Sequence, residues 1–250
     1  MPLKRILKVI ILVAFVTGAL AQSPEPPLKD SRISIHTLLR EDIFAGFLAD
    51  DMDRFSRGEK NVQLLSEQRP QHKAELMAWK GGAALYRAVR AFENDGGKEF
   101  QRYYESALDA FSQARRLGPE NGGVAAVTGG SYVLLADRLP KEHRGAAWSQ
   151  AYDAYKLLWK QQEPIAEQLP PHLKGELLGG LAQSAQRTGH PDEMTLALDK
   201  MLALLRGTPY ESVAKKWKAN PGAAAKTSIT CLSCHDPGRL AARIAEVNKQ

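Results

Sequence analysis

The sequence predicts an all-α chain of antiparallel helix pairs followed by a short C-terminal segment with a separate task. Three observations lead there. Apolar residues recur at three- and four-residue steps through most of the chain, the spacing that places them on one side of a helix. Turn chemistry built from Gly, Pro, Asn and Asp interrupts these runs at regular intervals. No stretch of useful length alternates apolar and polar residues as a strand would.

In chain order, residues 1–21 have the build of an export signal. Lys4, Arg5 and Lys8 precede the apolar run Val9 to Val16, and Ala19-Leu20-Ala21 supplies a small-residue cleavage pattern, so Gln22 would begin the mature protein. That apolar run is too short to span a bilayer, so no membrane span is expected after cleavage. Residues 22–34 form an extended leader with the prolines of Ser23-Pro24-Glu25-Pro26-Pro27. From Ile35, the positions Leu38, Leu39, Phe44, Phe47, Leu48, Met52 and Phe55 place one apolar face on a first helix. His36 is expected there as a solvated or capping residue, and Asp50, Asp51 and Asp53 as a solvated helix face.

From Lys73 the pattern becomes helix, turn, helix. Trp79, Gly82, Ala83 and Tyr86 lie on one helix; Ala107, Phe111 and Ala114 lie on the next, which Pro119 terminates. A linker through Asn94-Asp95-Gly96-Gly97 separates them. The second pair covers Gly122 to Asp137 and His143 to Gln162, and the third covers Pro171 to Thr188 and Asp192 to Leu205. Small residues such as Gly82, Gly129 and Gly130 let helices approach, and aromatic residues fill the space between them.

These spacings resemble tetratricopeptide repeats over roughly residues 73 to 206, with the linker of the first pair adding about twelve residues to the 34-residue period. The resemblance implies a curved stack of helix pairs whose concave face binds a peptide or protein partner. The helical-repeat domain is expected over residues 35–206, and residues 207–250 form a separate C-terminal segment. That segment opens with a short helix from Pro209 to Ala219, which Asn220-Pro221-Gly222 breaks. It ends with a helix announced by Asp236-Pro237 and faced by Leu240, Ile244 and Val247.

Both cysteines of the chain lie in that segment, in Cys231-Leu232-Ser233-Cys234-His235. C-x-x-C-H is the attachment signature of c-type haem. Two thiols at this separation match the two vinyl groups on one porphyrin edge, and the adjoining imidazole suits the axial position under the iron. Two other readings stand beside it: a Cys231–Cys234 disulfide or redox dithiol, and a zinc site. Neither dithiol form accounts for His235, and zinc lacks a second ligand pair, so one covalent haem c is the expectation adopted. An export signal agrees with it, because such haem is attached outside the energy-transducing membrane.

The segment resembles the class II cytochromes c over residues 231–239, where Arg239 follows the motif as a basic residue does in that family. That resemblance implies a five-coordinate iron. If a sixth ligand exists, Met194, Met201 and His190 are the candidates nearest in sequence; Met52, Met77, His36, His72, His143 and His172 are more remote. The chain carries no hydrolase nucleophile motif, phosphate loop or dinucleotide fingerprint, which favours an electron carrier or binding protein over an enzyme. Small-ligand binding or peroxide chemistry at an open iron stands behind electron transfer. The alternative of another class is a haem-free tetratricopeptide adaptor with a Cys231–Cys234 disulfide.

Charge limits the partners. The formal net charge is +6, but the signal holds three of the 34 basic residues and no acidic one, leaving 31 against 28, or +3. That balance gives no case for nucleic acid. The basic excess collects near the motif, in Lys215, Lys216, Lys218, Lys226, Arg239 and Arg243, and a rim of this kind suits an acidic redox partner. A periplasmic or otherwise exported location is expected.

Overall fold

The computed structural model describes residues 35–224. The export signal, the leader, the C-x-x-C-H motif and the last helix expected from the sequence lie outside the described residues. Within them the chain is all-α, with no strand. Its helices are α1 (Ile35–Ala49), α2 (Met52–Gln68), α3 (Lys73–Glu93), α4 (Gly97–Leu117), α5 (Gly122–Leu135), α6 (Lys141–Gln162), α7 (Pro171–Arg187), α8 (Pro191–Leu204), α9 (Pro209–Ala219) and α10 (Pro221–Ala224). No helix among the described residues is long and apolar enough to cross a membrane.

Consecutive helices pair as α1 with α2, α3 with α4, α5 with α6, and α7 with α8. The odd-numbered helices also touch in sequence, α1 on α3, α3 on α5 and α5 on α7, and so form one continuous layer. The even-numbered helices back this layer from outside. α9 packs on α8, and Ala214 and Trp217 enter the same core that runs from Ile35 through the array. Residues 207–224 thus pack against the end of the stack.

Turn chemistry fixes the helix ends. α3 closes on Asp95, in the left-handed region at φ 59°, and Gly96 N–H returns to the Ala91 carbonyl at 2.8 Å. At the end of α7, Gly189 at φ 78° plays the same part, and His190 N–H reaches the Ala185 carbonyl at 2.9 Å. Asn121 caps α5, accepting from Val124 N–H at 3.0 Å.

Three expectations change. The apolar run from Ile35 to Phe55 is two helices, not one. Asp50 takes φ 54° and ends α1, and Asp51 caps α2 by accepting from Arg54 N–H at 3.0 Å. The acidic run is therefore a helix junction rather than a solvated helix face. Asp50 is also ion-paired to Arg90 of α3. Lastly, the first pair is not stretched by a long linker. Asn94 to Gly96 is a tight turn, and the added length lies in α3 and α4, each 21 residues.

Close approach follows the small residues. A Cβ on Gly81 would stand 2.7 Å from Phe111 Cδ1, so only glycine lets α4 lay that ring against α3. Gly82 makes room for Ser131 of α5 instead, with a Cβ-to-Oγ distance of 2.6 Å. Tyr86 serves neither pair partner. Its ring packs on Phe47 and Phe55, and its hydroxyl donates to the Gly46 carbonyl at 2.6 Å, tying α3 to the preceding hairpin.

Candidate functional site

The odd-numbered layer carries an apolar groove of about 190 Å³, to which α1, α3, α5, α6 and α7 all contribute. Phe44 and Trp79 form one wall, their rings edge-to-face at 5.7 Å. Tyr155 of α6 reaches the groove between α5 and α7 because Gly129 and Gly180 leave its ring space; a Cβ on Gly129 would lie 3.0 Å from Tyr155 Cε2. Leu158, Leu173 and Leu177 complete the apolar lining, with Arg40 and Glu176 adding one charge of each sign. Leu173 is 44% exposed.

His36 sits in this groove, which overturns its expected place as a solvated or capping residue. Its Nδ1 accepts from the Trp79 indole N–H at 3.0 Å. Burial pushes its pKa below the usual imidazole value, and this outweighs the opposing attraction of Glu75; Arg40 and His72 add to the lowering. A neutral ring that accepts at Nδ1 holds its proton on Nε2. In this arrangement neither nitrogen offers a lone pair to a metal. Gly123 admits the ring, since a Cβ there would collide with His36 Nε2.

The structure distributes the candidate axial ligands widely. Met194 and Met201 are buried in α8, 2% and 0% exposed, among the core residues between α8 and its neighbours. His190 is exposed at the N-terminus of α8 and stacks on Tyr152 at 4.5 Å. His143 packs on Tyr104 at 4.4 Å, His72 lies 3.7 Å from Glu75, and His172 is buried. Met52 and Met77 are half-buried on α2 and α3. These side chains do not converge on one place. Cys231, Cys234 and His235 lie outside the described residues.

Near the end of the described chain, α9 presents Lys215, Lys216 and Lys218 to solvent. Lys215 pairs with Glu211 at 2.7 Å, and Lys218 pairs with Asp199 of α8. Lys216 is the one of the three with no ion pair among the described residues. Trp217 is fully buried in the common core. Nearby, α10 ends on Ala224, which is also fully buried, against α7 and α9.

A second cleft, about 550 Å³, lies where α2 and α4 diverge over α3. Val62, Met77, Ala83 and Ala84 line it, and Arg87 bridges to Glu59 at its edge, Nε to Oε1 at 2.8 Å. Sequence reasoning missed both openings. The groove's signal in the sequence was confined to the glycines of α5 and α7, and their meeting with Tyr155 depends on how the pairs stack.

The fold defines the chain as an all-α array of antiparallel helix pairs with an apolar groove on its odd-numbered layer. No protein-family model, curated protein or solved structure matches it.

Proposed function

We propose that this chain is an exported c-type cytochrome with one haem c on a tetratricopeptide-like array, serving electron transfer with a protein partner. The observation that carries the reading is Cys231-Leu232-Ser233-Cys234-His235, which uses both cysteines of the chain and adds the adjoining histidine. The export pattern of residues 1–21 supports it, since it directs the motif to the compartment where such haem is attached.

The roles of the residues follow from their chemistry. Each thiol of Cys231 and Cys234 adds across one vinyl double bond, making one carbon–sulfur and one carbon–hydrogen bond; the thiol proton is retained and no electron leaves. The imidazole of His235 would hold the iron. Bound haem supplies one-electron chemistry at iron, tuned by axial ligation and the dryness of its surroundings. Lys216, with Lys226, Arg239 and Arg243, supplies the positive rim that steers an acidic partner; Lys215 and Lys218, being ion-paired, contribute less.

The test is acid–acetone extraction of the exported protein. Thioether-bound haem stays with the chain, so a Soret band survives extraction and disappears in Cys231→Ala/Cys234→Ala. Protein without haem, in which the two cysteines titrate as a disulfide, would replace this reading with a haem-free helical-repeat adaptor.

A further inference from the structure

We infer that the groove on the odd-numbered layer is the seat of this chain's own C-terminal segment, residues 225–250. The inference rests on apolar fit and reach and stands apart from the haem reading.

Three observations carry it. First, the described chain ends on α7, the helix that supplies one wall of the groove. α10 packs on α7, whose Leu173, Glu176 and Leu177 form one groove wall, and Ala224 is wholly buried there. Second, the segment has the right surface. Leu240, Ile244 and Val247 fall at i, i+4 and i+7, one apolar stripe of a helix. An apolar groove lined by Phe44, Trp79 and leucines gains by covering such a stripe, at about 25 cal/mol per Å² of apolar surface removed from water.

Third, the reach suffices. Residues 225–235 span up to about 36 Å when extended. A helix from Pro237 to Gln250 is about 21 Å long, some two spacings between neighbouring packed helices. The extended stretch alone can pass from α7 to α1, three such spacings away.

Hydrogen exchange of the full-length chain, read by mass spectrometry on peptides from 225–250, tests this. Protection is expected over 236–250. The double variant Leu173→Glu/Ala126→Glu places charges at two exposed groove positions, so the array keeps its core. Exchange over 236–250 should then quicken by about tenfold or more, while α3 and α4 keep their wild-type rates. Leu240→Asp/Ile244→Asp provides the reciprocal measurement without touching the array: amides of α1 and α7 should lose protection. Exchange of 236–250 at the rate of an unstructured peptide in wild type would overturn the inference. So would protection that neither variant alters. Protection that rises with protein concentration would assign the groove to a second copy of the chain instead.

Discussion

The α1–α2 hairpin and the α3–α4 pair lie side by side, yet different forces hold them. α3 buries twelve of its 21 residues, and α4 meets it through close apolar contact centred on Gly81 and Phe111. α2 buries only Phe55, Gly58 and Val62 among 17 residues. The hairpin joins α3 through the rings of Phe44, Phe47 and Phe55 on Trp79 and Tyr86, and also through directional links: Trp79 to His36, Tyr86 to Gly46, Arg87 to Glu59 and Arg90 to Asp50. Close packing is lost all at once, whereas directional links can be loosened singly. α3–α4 should therefore behave as the global folding unit, and α1–α2 as an element that opens locally.

The sharpest challenge to this contrast is Phe111→Ala. Its ring is fully buried, so the cavity should cost about 3–5 kcal/mol and lower the denaturation midpoint of the entire far-UV signal. A variant that lost only α4 helicity would make the α3–α4 pair no more central than the hairpin.

Tyr86→Phe removes one hydroxyl and its bond to Gly46. About 1 kcal/mol is expected, appearing as faster amide exchange in α1 with little change in α4. Uniform acceleration in both helices would mean that the hairpin does not open separately.

His36 gives the contrast a pH dependence. Its pKa is lowered in the folded chain, chiefly by burial, so the unfolded chain binds the proton more readily. Its contribution is complete above about 6.5, the ordinary imidazole value, and is lost as pH falls from there through the lowered folded pKa. The charged groups beside it are Glu75, Arg40 and His72. Protection factors in α1, which divide out the pH dependence of intrinsic amide exchange, should fall on acidification across that window, and His36→Gln should flatten the profile. A profile unchanged by the substitution would place the titration on another group.

The smallest effect belongs to Arg87 and Glu59, each about 30% exposed (31% and 29%). Glu59→Gln should cost about 0.2–1 kcal/mol, with the difference from wild type shrinking as salt rises. Urea titrations at low and high salt measure it. A cost above that of Tyr86→Phe would put the chief fastening of the hairpin at the wrong link.

What could be read without coordinates was local. The helices from Gly122 to Leu204 begin and end within a few residues of their expected limits, because proline, Gly189 and Asn121 act through their own backbone. The misreadings arose where a residue had two local options. Asp50 and Asp51 suit a helix face as well as a junction, and the sequence offers no glycine there to mark the break. Likewise, Asp95 adopts the left-handed turn although Gly96 and Gly97 stand next to it.

The sequence by itself determined the all-α class, the pairing of helices and a C-x-x-C-H motif whose chemistry depends on five consecutive residues. Tertiary structure alone decided what each small or polar residue faces. Gly81 meets Phe111 but Gly82 meets Ser131; Tyr86 turns to the preceding hairpin; His36 accepts from Trp79, 43 positions away. Periodicity gives the face of a helix, since 3.6 residues make a turn. It does not say which helix arrives at that face, because that depends on contacts distant in the chain, each worth little until the others are made.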